Sequence, residues 1–272
     1  MGVKVGIRLI ALILLSCSLP VSFAQTMPGT SAPDLFNRGM NALLGSPAGR
    51  SDLVAIDSFH RAADLGYIPA QTVLGYLYET GQVVPRDPDQ ALEWYERAAG
   101  QDDPLAEWLV GRLIYSGAVP PRDLNNAGRW LEKSASHDNP FGEYLLGMIL
   151  LQHGTYAKAA DQFRRAAAQG LPQAEQQLAM LLKEGRGVSE DKSEAYTLLL
   201  LSYEAGNRSI TSDLQTLEAD LGSNQVEQAK SRARSLETSE RRSILAHGCS
   251  GWAGQFQTIP LPPPPDLQKF CR

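Results

Sequence analysis

Along residues 32–206, small and apolar side chains recur at spacings of three and four. Ala70, Leu74, Leu77 and Tyr78 form one such set, and Ala91, Trp94, Tyr95 and Ala98 form the next. That period puts each set on one stripe of an α-helix. The stripes come in pairs, and the pairs repeat. Ala70 through Gly81 aligns with Ala106 through Gly117, an offset of 36 (70 to 106). Gly142 through Gly147 follows at the same offset, a shifted copy starts at Ala174, and a degraded first copy places Gly39 ahead of Gly75. The second stripe of each pair starts at Ala55, Ala91, Ala127, Ala159 and Ala195. The fourth unit is four residues shorter (127 to 159 against 91 to 127), and the loss falls in the loop between its helices, where deletions cost little.

The boundaries carry chemical markers. Ser51, Asp87, Asp123, Thr155 and Asp191 each stand four residues before a second-helix Ala. All are residue types whose side-chain oxygens cap helix N-termini. Asp191 with Glu194 has the capping-box spacing. Pro88 fits the first position of a helix, and Gly45, Gly81, Gly117 and Gly185 end the first helices. Gly75, Gly111, Gly147 and Ala179 share one first-helix position. A helical Gly costs up to about 1 kcal/mol against Ala, so its recurrence implies close approach of the second helix. These features predict an all-α solenoid of about five helix-turn-helix repeats over 32–206. Residues 207–238 continue as C-terminal capping helices. One has Ile210, Leu214 and Leu217 on its stripe. The other, capped by Ser223, has Val226, Ala229, Ala233 and Leu236 on its stripe.

The two ends read differently. Residues 1–24 join Lys4 and Arg8 to the apolar run Leu9–Leu15 and the small pair Ser22 and Ala24. This is the pattern of a secretory leader cleaved after Ala24, with 25–31 as a linker. A second reading of the same segment is a lipoprotein box at Leu14-Leu15-Ser16-Cys17, which would lipidate Cys17. Residues 239–272 form a proline-rich tail, with Pro260 and Pro262–Pro265 expected in extended polyproline II. In an exported chain the tail cysteines, Cys249 and Cys271, are expected to bridge and close a loop, stabilising by about 3 kcal/mol. Two free thiols are the alternative.

Composition excludes several classes. The 272 residues are 43% hydrophobic and 20% charged, with net charge −5, ordinary values for a globular chain. No basic excess marks a nucleic-acid partner, and a membrane partner is expected only if Cys17 is lipidated. No G-x-S-x-G, H-E-x-x-H or P-loop lysine occurs, and His60, His137, His153 and His247 lack ligand spacing. The expectation is a non-enzyme with no metal and no cofactor.

The motif Ala70…Leu74-Gly75…Leu77-Tyr78…Gly81 followed by Ala91…Trp94-Tyr95…Ala98-Ala99 resembles the Sel1-like repeat, a relative of the tetratricopeptide repeat. So does the turn Gly81 to Asp87 and its echo Gly185 to Asp191. The resemblance implies a right-handed superhelix whose concave face holds a protein or peptide. By that analogy the concave positions are Phe36, Met40 and Leu43; Thr72, Tyr76 and Glu79; Trp108, Arg112 and Tyr115; Tyr144, Met148 and Leu151; Gln176, Met180 and Lys183. Tyr76, Trp108, Arg112, Tyr115, Tyr144 and Met148 are the expected partner-binding residues, because aromatic, Arg and Met side chains dominate binding hot spots. Some exported cysteine-rich members of the family are linked to penicillin binding. No cysteine falls within these repeats, so that enzyme-related reading stays a distant rival. The function expected is an exported adaptor or regulator in the bacterial cell envelope; a lipid-anchored scaffold of envelope or polysaccharide export machinery is the alternative.

Overall fold

A computed structural model describes residues 31–45 and 49–237. The leader with Cys17, and the tail with His247, Cys249, Cys271 and the proline run, lie outside the described residues. Twelve α-helices are present among the described residues, the first ten in five successive pairs. They are α1 (Ala32–Leu44) with α2 (Asp52–Asp64), α3 (Ile68–Thr80) with α4 (Pro88–Ala99), α5 (Pro104–Ser116) with α6 (Leu124–Ser136), α7 (Pro140–Gln152) with α8 (Tyr156–Ala168), and α9 (Pro172–Glu184) with α10 (Lys192–Glu204). A 3₁₀ turn at Arg208–Ile210 leads to α11 (Thr211–Asp220) and α12 (Ser223–Leu236). Each first helix packs on its own second helix, each second helix packs on the next first helix, and α12 closes on α10. This is an α-solenoid. None of the described helices is long and apolar enough to cross a membrane.

The recurring glycine has the role its position implied. A Cβ added at Gly75 would lie 2.5 Å from the Tyr95 ring, and one at Gly147 would lie 2.5 Å from Phe163. Gly39 meets Phe59 and Gly111 meets Leu131 in the same way, each at 2.6 Å. A large side chain of the second helix therefore fills a notch that only glycine leaves open. Those four side chains are fully buried and form the repeating core.

Local chemistry starts and stops most helices as the sequence predicts. Asp87 accepts from the N–H groups of Asp89 and Gln90, Asp123 from Asn125 and Asn126, Ser51 from Val54, and Asp191 from Glu194. Gly81, Gly117 and Gly185 adopt the left-handed conformation that ends a helix. Two expectations need correction, those for Thr155 and Ser223. The Thr155 side chain does not cap α8. Only residues 153–155 connect α7 to α8, and there the hydroxyl turns back and donates to the Leu150 carbonyl at 2.8 Å. Gly45 ends α1 as expected, with positive φ but ψ 96°. Ser223 is the first residue of α12 rather than its cap, and the N–H of Gly222 is held by the Gln225 side chain at 3.2 Å.

Candidate functional site

The expected row of binding residues runs along one flank of the first helices, and the structure divides it in two. In α1, α3 and most of α5 the row is closed. Phe36, Met40, Leu43, Thr72, Tyr76, Glu79, Trp108 and Arg112 are all buried. From Tyr115 onward it is half-open: Tyr115, Tyr144, Met148, Leu151, Gln176, Met180 and Lys183 all keep partial exposure.

The expectation that Tyr76, Trp108 and Arg112 stand on an open surface is therefore corrected. For Arg112 and Trp108 the reason is pairing across repeats. Arg112 Nη2 donates to both carboxylate oxygens of Glu79, one repeat earlier, at 2.6 Å. The Tyr95 hydroxyl donates to the same carboxylate at 2.8 Å. Trp108 packs its ring on Phe141 of α7, 5.1 Å between centroids. Tyr76 accepts a hydrogen bond from Gln82 at 2.9 Å, and burial pushes its hydroxyl up to about 12. A charged pair taken out of water needs hydrogen-bond partners of this kind to be tolerated.

The half-open segment has a different character. Tyr115 accepts from the Gln152 side chain at 2.9 Å, which ties α5 to α7 along the surface. Tyr144 packs on Phe163 at 6.0 Å, and desolvation lifts its hydroxyl to about 12. Met148, Leu151 and Met180 continue the row as partly exposed apolar side chains. Lys183 closes its far end through an ion pair with Asp213 of α11 at 3.0 Å. The result is an aromatic and thioether strip with polar ends. Flexible Met and rigid Tyr side chains of this kind suit contact with a polypeptide.

A second recurring row escaped the sequence reading. Gln71, Glu107, Glu143 and Glu175 occupy the same position in the first turn of α3, α5, α7 and α9, and all are buried. Three of them tie the start of the first helix to the end of its second helix. Gln71 accepts from Gln101 at 2.8 Å, Glu107 pairs with His137 Nδ1 at 3.1 Å, and Glu143 takes Arg165 at 2.8 Å and Gln169 at 2.9 Å. The available signal was an acid held at the repeat offset inside an otherwise apolar stripe. Among the described residues no three His, Cys, Asp or Glu side chains are grouped to hold a metal ion.

Burial raises the Glu143 carboxyl to about 7, against the opposing pull of Arg165. The unfolded chain returns it to its ordinary value of 4.5. Between those pH values the folded protein keeps a proton that the unfolded chain has lost. The stability this group contributes is therefore full below about pH 4.5, falls as pH rises to 7, and is flat above. In Glu143→Gln this component is expected to vanish. The variant should match wild type at pH 4.5 and exceed it by about 2 kcal/mol at pH 8, an amount discounted because Arg165 is partly open to solvent. Denaturant titrations of both proteins at the two pH values check this; equal pH slopes would overturn it.

Three segments match the model of the Sel1 repeat family: residues 68–103, 104–139 and 172–207. These correspond to α3–α4, α5–α6 and α9–α10, so the chain carries three Sel1 repeats. The shortened unit, α7–α8, falls between the matched segments. The protective antigen c5321 of uropathogenic Escherichia coli, which has an SLR fold, is similar at TM-score 0.68 and 25% identity over 85% of this chain. This chain spans about half of that protein, 49% of its length. A Sel1 repeat protein from Oxalobacter formigenes is similar in fold at TM-score 0.62 and 22% identity, covering 76% of this chain and 89% of that one. No curated protein matches the sequence. A Sel1-repeat scaffold points to protein interaction, and the family is generally non-catalytic.

Proposed function

We propose that this protein is an exported, non-enzymatic scaffold that holds a protein or peptide on the half-open part of its concave face. Its core is the strip Tyr115, Tyr144, Met148, Leu151 and Met180. The observation that carries this reading is the contrast within the row: equivalent positions are buried up to Arg112 and partly exposed beyond it. The leader pattern of residues 1–24 supports release into the periplasm or beyond after Ala24. Together they support an adaptor or regulator of the bacterial cell envelope.

The test is crosslinked capture from the envelope fraction with Tyr144→Ala combined with Met148→Ala. Loss of two central contacts is expected to weaken capture of a defined partner at least about tenfold. Helicity by circular dichroism should be unchanged, because both side chains lie at the margin of the core. Undiminished capture by the folded double variant would remove the strip from the reading.

A further inference from the structure

The half-open strip sets hydrogen-bond donors among apolar faces. The Tyr115 hydroxyl accepts from Gln152 at 2.9 Å, which leaves its own proton to give. The Tyr144 hydroxyl meets no hydrogen-bond partner among the described residues, and the two phenols are close enough to interact electrostatically. Met148, Leu151 and Met180 supply apolar area beside the rings. The α5 end is cationic. The exposed Arg122 holds its guanidinium 5.1 Å from the centre of the Tyr115 ring and donates to the Tyr115 carbonyl at 2.6 Å. It forms no ion pair among the described residues. The complementary ligand is apolar, rich in acceptors, poor in donors, and followed by an acid.

One segment of the chain has that chemistry. In Ile259-Pro260-Leu261-Pro262-Pro263-Pro264-Pro265, five of seven residues are proline, and Asp266 follows. A proline carries a carbonyl and no N–H, so the run has more acceptors than donors. In polyproline II those carbonyls have no internal partner, and the form docks on aromatic-lined grooves because its shape is set before binding. Length agrees. Seven such residues extend about 22 Å. Helices about 10 Å apart carry the strip from Met180 on α9, through α7, to Tyr115 on α5, a span of about 20 Å. Direction agrees too. The last helix, α12, packs on α10, so the chain leaves the described residues at the α9 end of the strip. The 22 residues from Glu237 to Ile259 (259 − 237) reach up to about 70 Å. A run laid from α9 to α5 would bring Asp266 to Arg122.

We propose that Ile259–Pro265 lies along the half-open strip as an intramolecular strap, with Asp266 paired to Arg122, and that a partner polypeptide binds by displacing it. Ile259 and Leu261 rest beside Met180 and Leu151, the prolines pack on the Tyr144 and Tyr115 rings, and both hydroxyls donate to carbonyls of the run. Tethering supplies an effective concentration on the order of 1 mM. A segment that binds in trans with Kd of about 0.1 mM then fills the strip in about nine chains of ten. This inference rests on the preceding reading that the strip binds polypeptide, and adds how that site is regulated.

The test compares the full isotope-labelled chain with a tail variant, Pro260→Ser combined with Pro262→Ser, Pro263→Ser, Pro264→Ser and Pro265→Ser. Backbone amide positions are expected to differ at Tyr115, Tyr144, Met148 and Met180. A blocked peptide of residues 257–268 should return them to the wild-type positions in the tail variant. The same peptide should bind wild type about tenfold more weakly, because the tethered run competes. In the tail variant, Arg122→Glu should weaken the peptide several-fold, and a peptide carrying Asp266→Arg should recover that loss. Equal amide positions in wild type and tail variant, or equal peptide affinity for both, would overturn the strap. Strip positions that change on dilution of wild type would place the tail of a second copy there and overturn it as well. The readout is amide shifts with no partner present. The strap can therefore fail while loss of capture in Tyr144→Ala with Met148→Ala still supports the strip.

Discussion

Glu79→Ala is expected to cost about 3–5 kcal/mol, the range for removing one partner of a buried ion pair. The carboxylate of Glu79 receives Arg112 from the next repeat and the Tyr95 hydroxyl from its own second helix. Its side chain is 9% exposed and that of Arg112 is 5% exposed. Removing Glu79 leaves a buried guanidinium without its carboxylate and a buried hydroxyl without its acceptor. The loss should appear as a lower denaturant midpoint with wild-type helicity in buffer. Replacing all three groups together, with Glu79→Leu, Arg112→Leu and Tyr95→Phe, removes the charges as well as the bonds. That variant should recover most of the loss, since packed apolar side chains replace buried ion pairs at little cost. A single-variant cost below about 1 kcal/mol would show that water reaches the pair, and the closed half of the row would then count as surface.

Gly75→Val should be nearly as damaging, at about 3 kcal/mol or more. The new Cβ would sit 2.5 Å from two carbons of the Tyr95 ring. The ring is fully buried, and its hydroxyl is held by Glu79, so it has no direction in which to yield. Gly128, also in a helix, is the control, because a Cβ there meets nothing within 4 Å. Gly128→Ala should therefore leave stability unchanged or raise it by about 0.5–1 kcal/mol through helix propensity alone. Thermal denaturation of the two variants checks the pair of signs. If both shift the midpoint equally, close helix approach is not what the recurring glycines provide.

Much of the architecture was legible because repetition averages out local ambiguity. One Asp before one apolar stripe is weak evidence, whereas Asp87, Asp123 and Asp191 at matching offsets mark helix starts, and all three cap their helices. Thr155 shows the limit of that inference. Its offset matched, but the shortened connection from α7 turned its hydroxyl onto Leu150. The prolines that open α3, α5, α7 and α9 were an equally regular signal, with Pro at the first turn of each.

The binding row was legible in phase but not in exposure. Helical spacing alone fixed that Tyr76, Trp108, Arg112, Tyr144 and Met148 share one flank of successive first helices, since direction around a helix depends only on position along it. Whether that flank meets water depends on the next repeat. Glu79 and Arg112 are 33 residues apart, and no local pattern announces that they meet. The sequence by itself determined the repeating helices, their ends and their glycine notches, because these follow from contacts a few residues to one repeat apart. The tertiary structure decided which side chains are sealed and which are offered, because burial is a property of the packed neighbours and not of the residue.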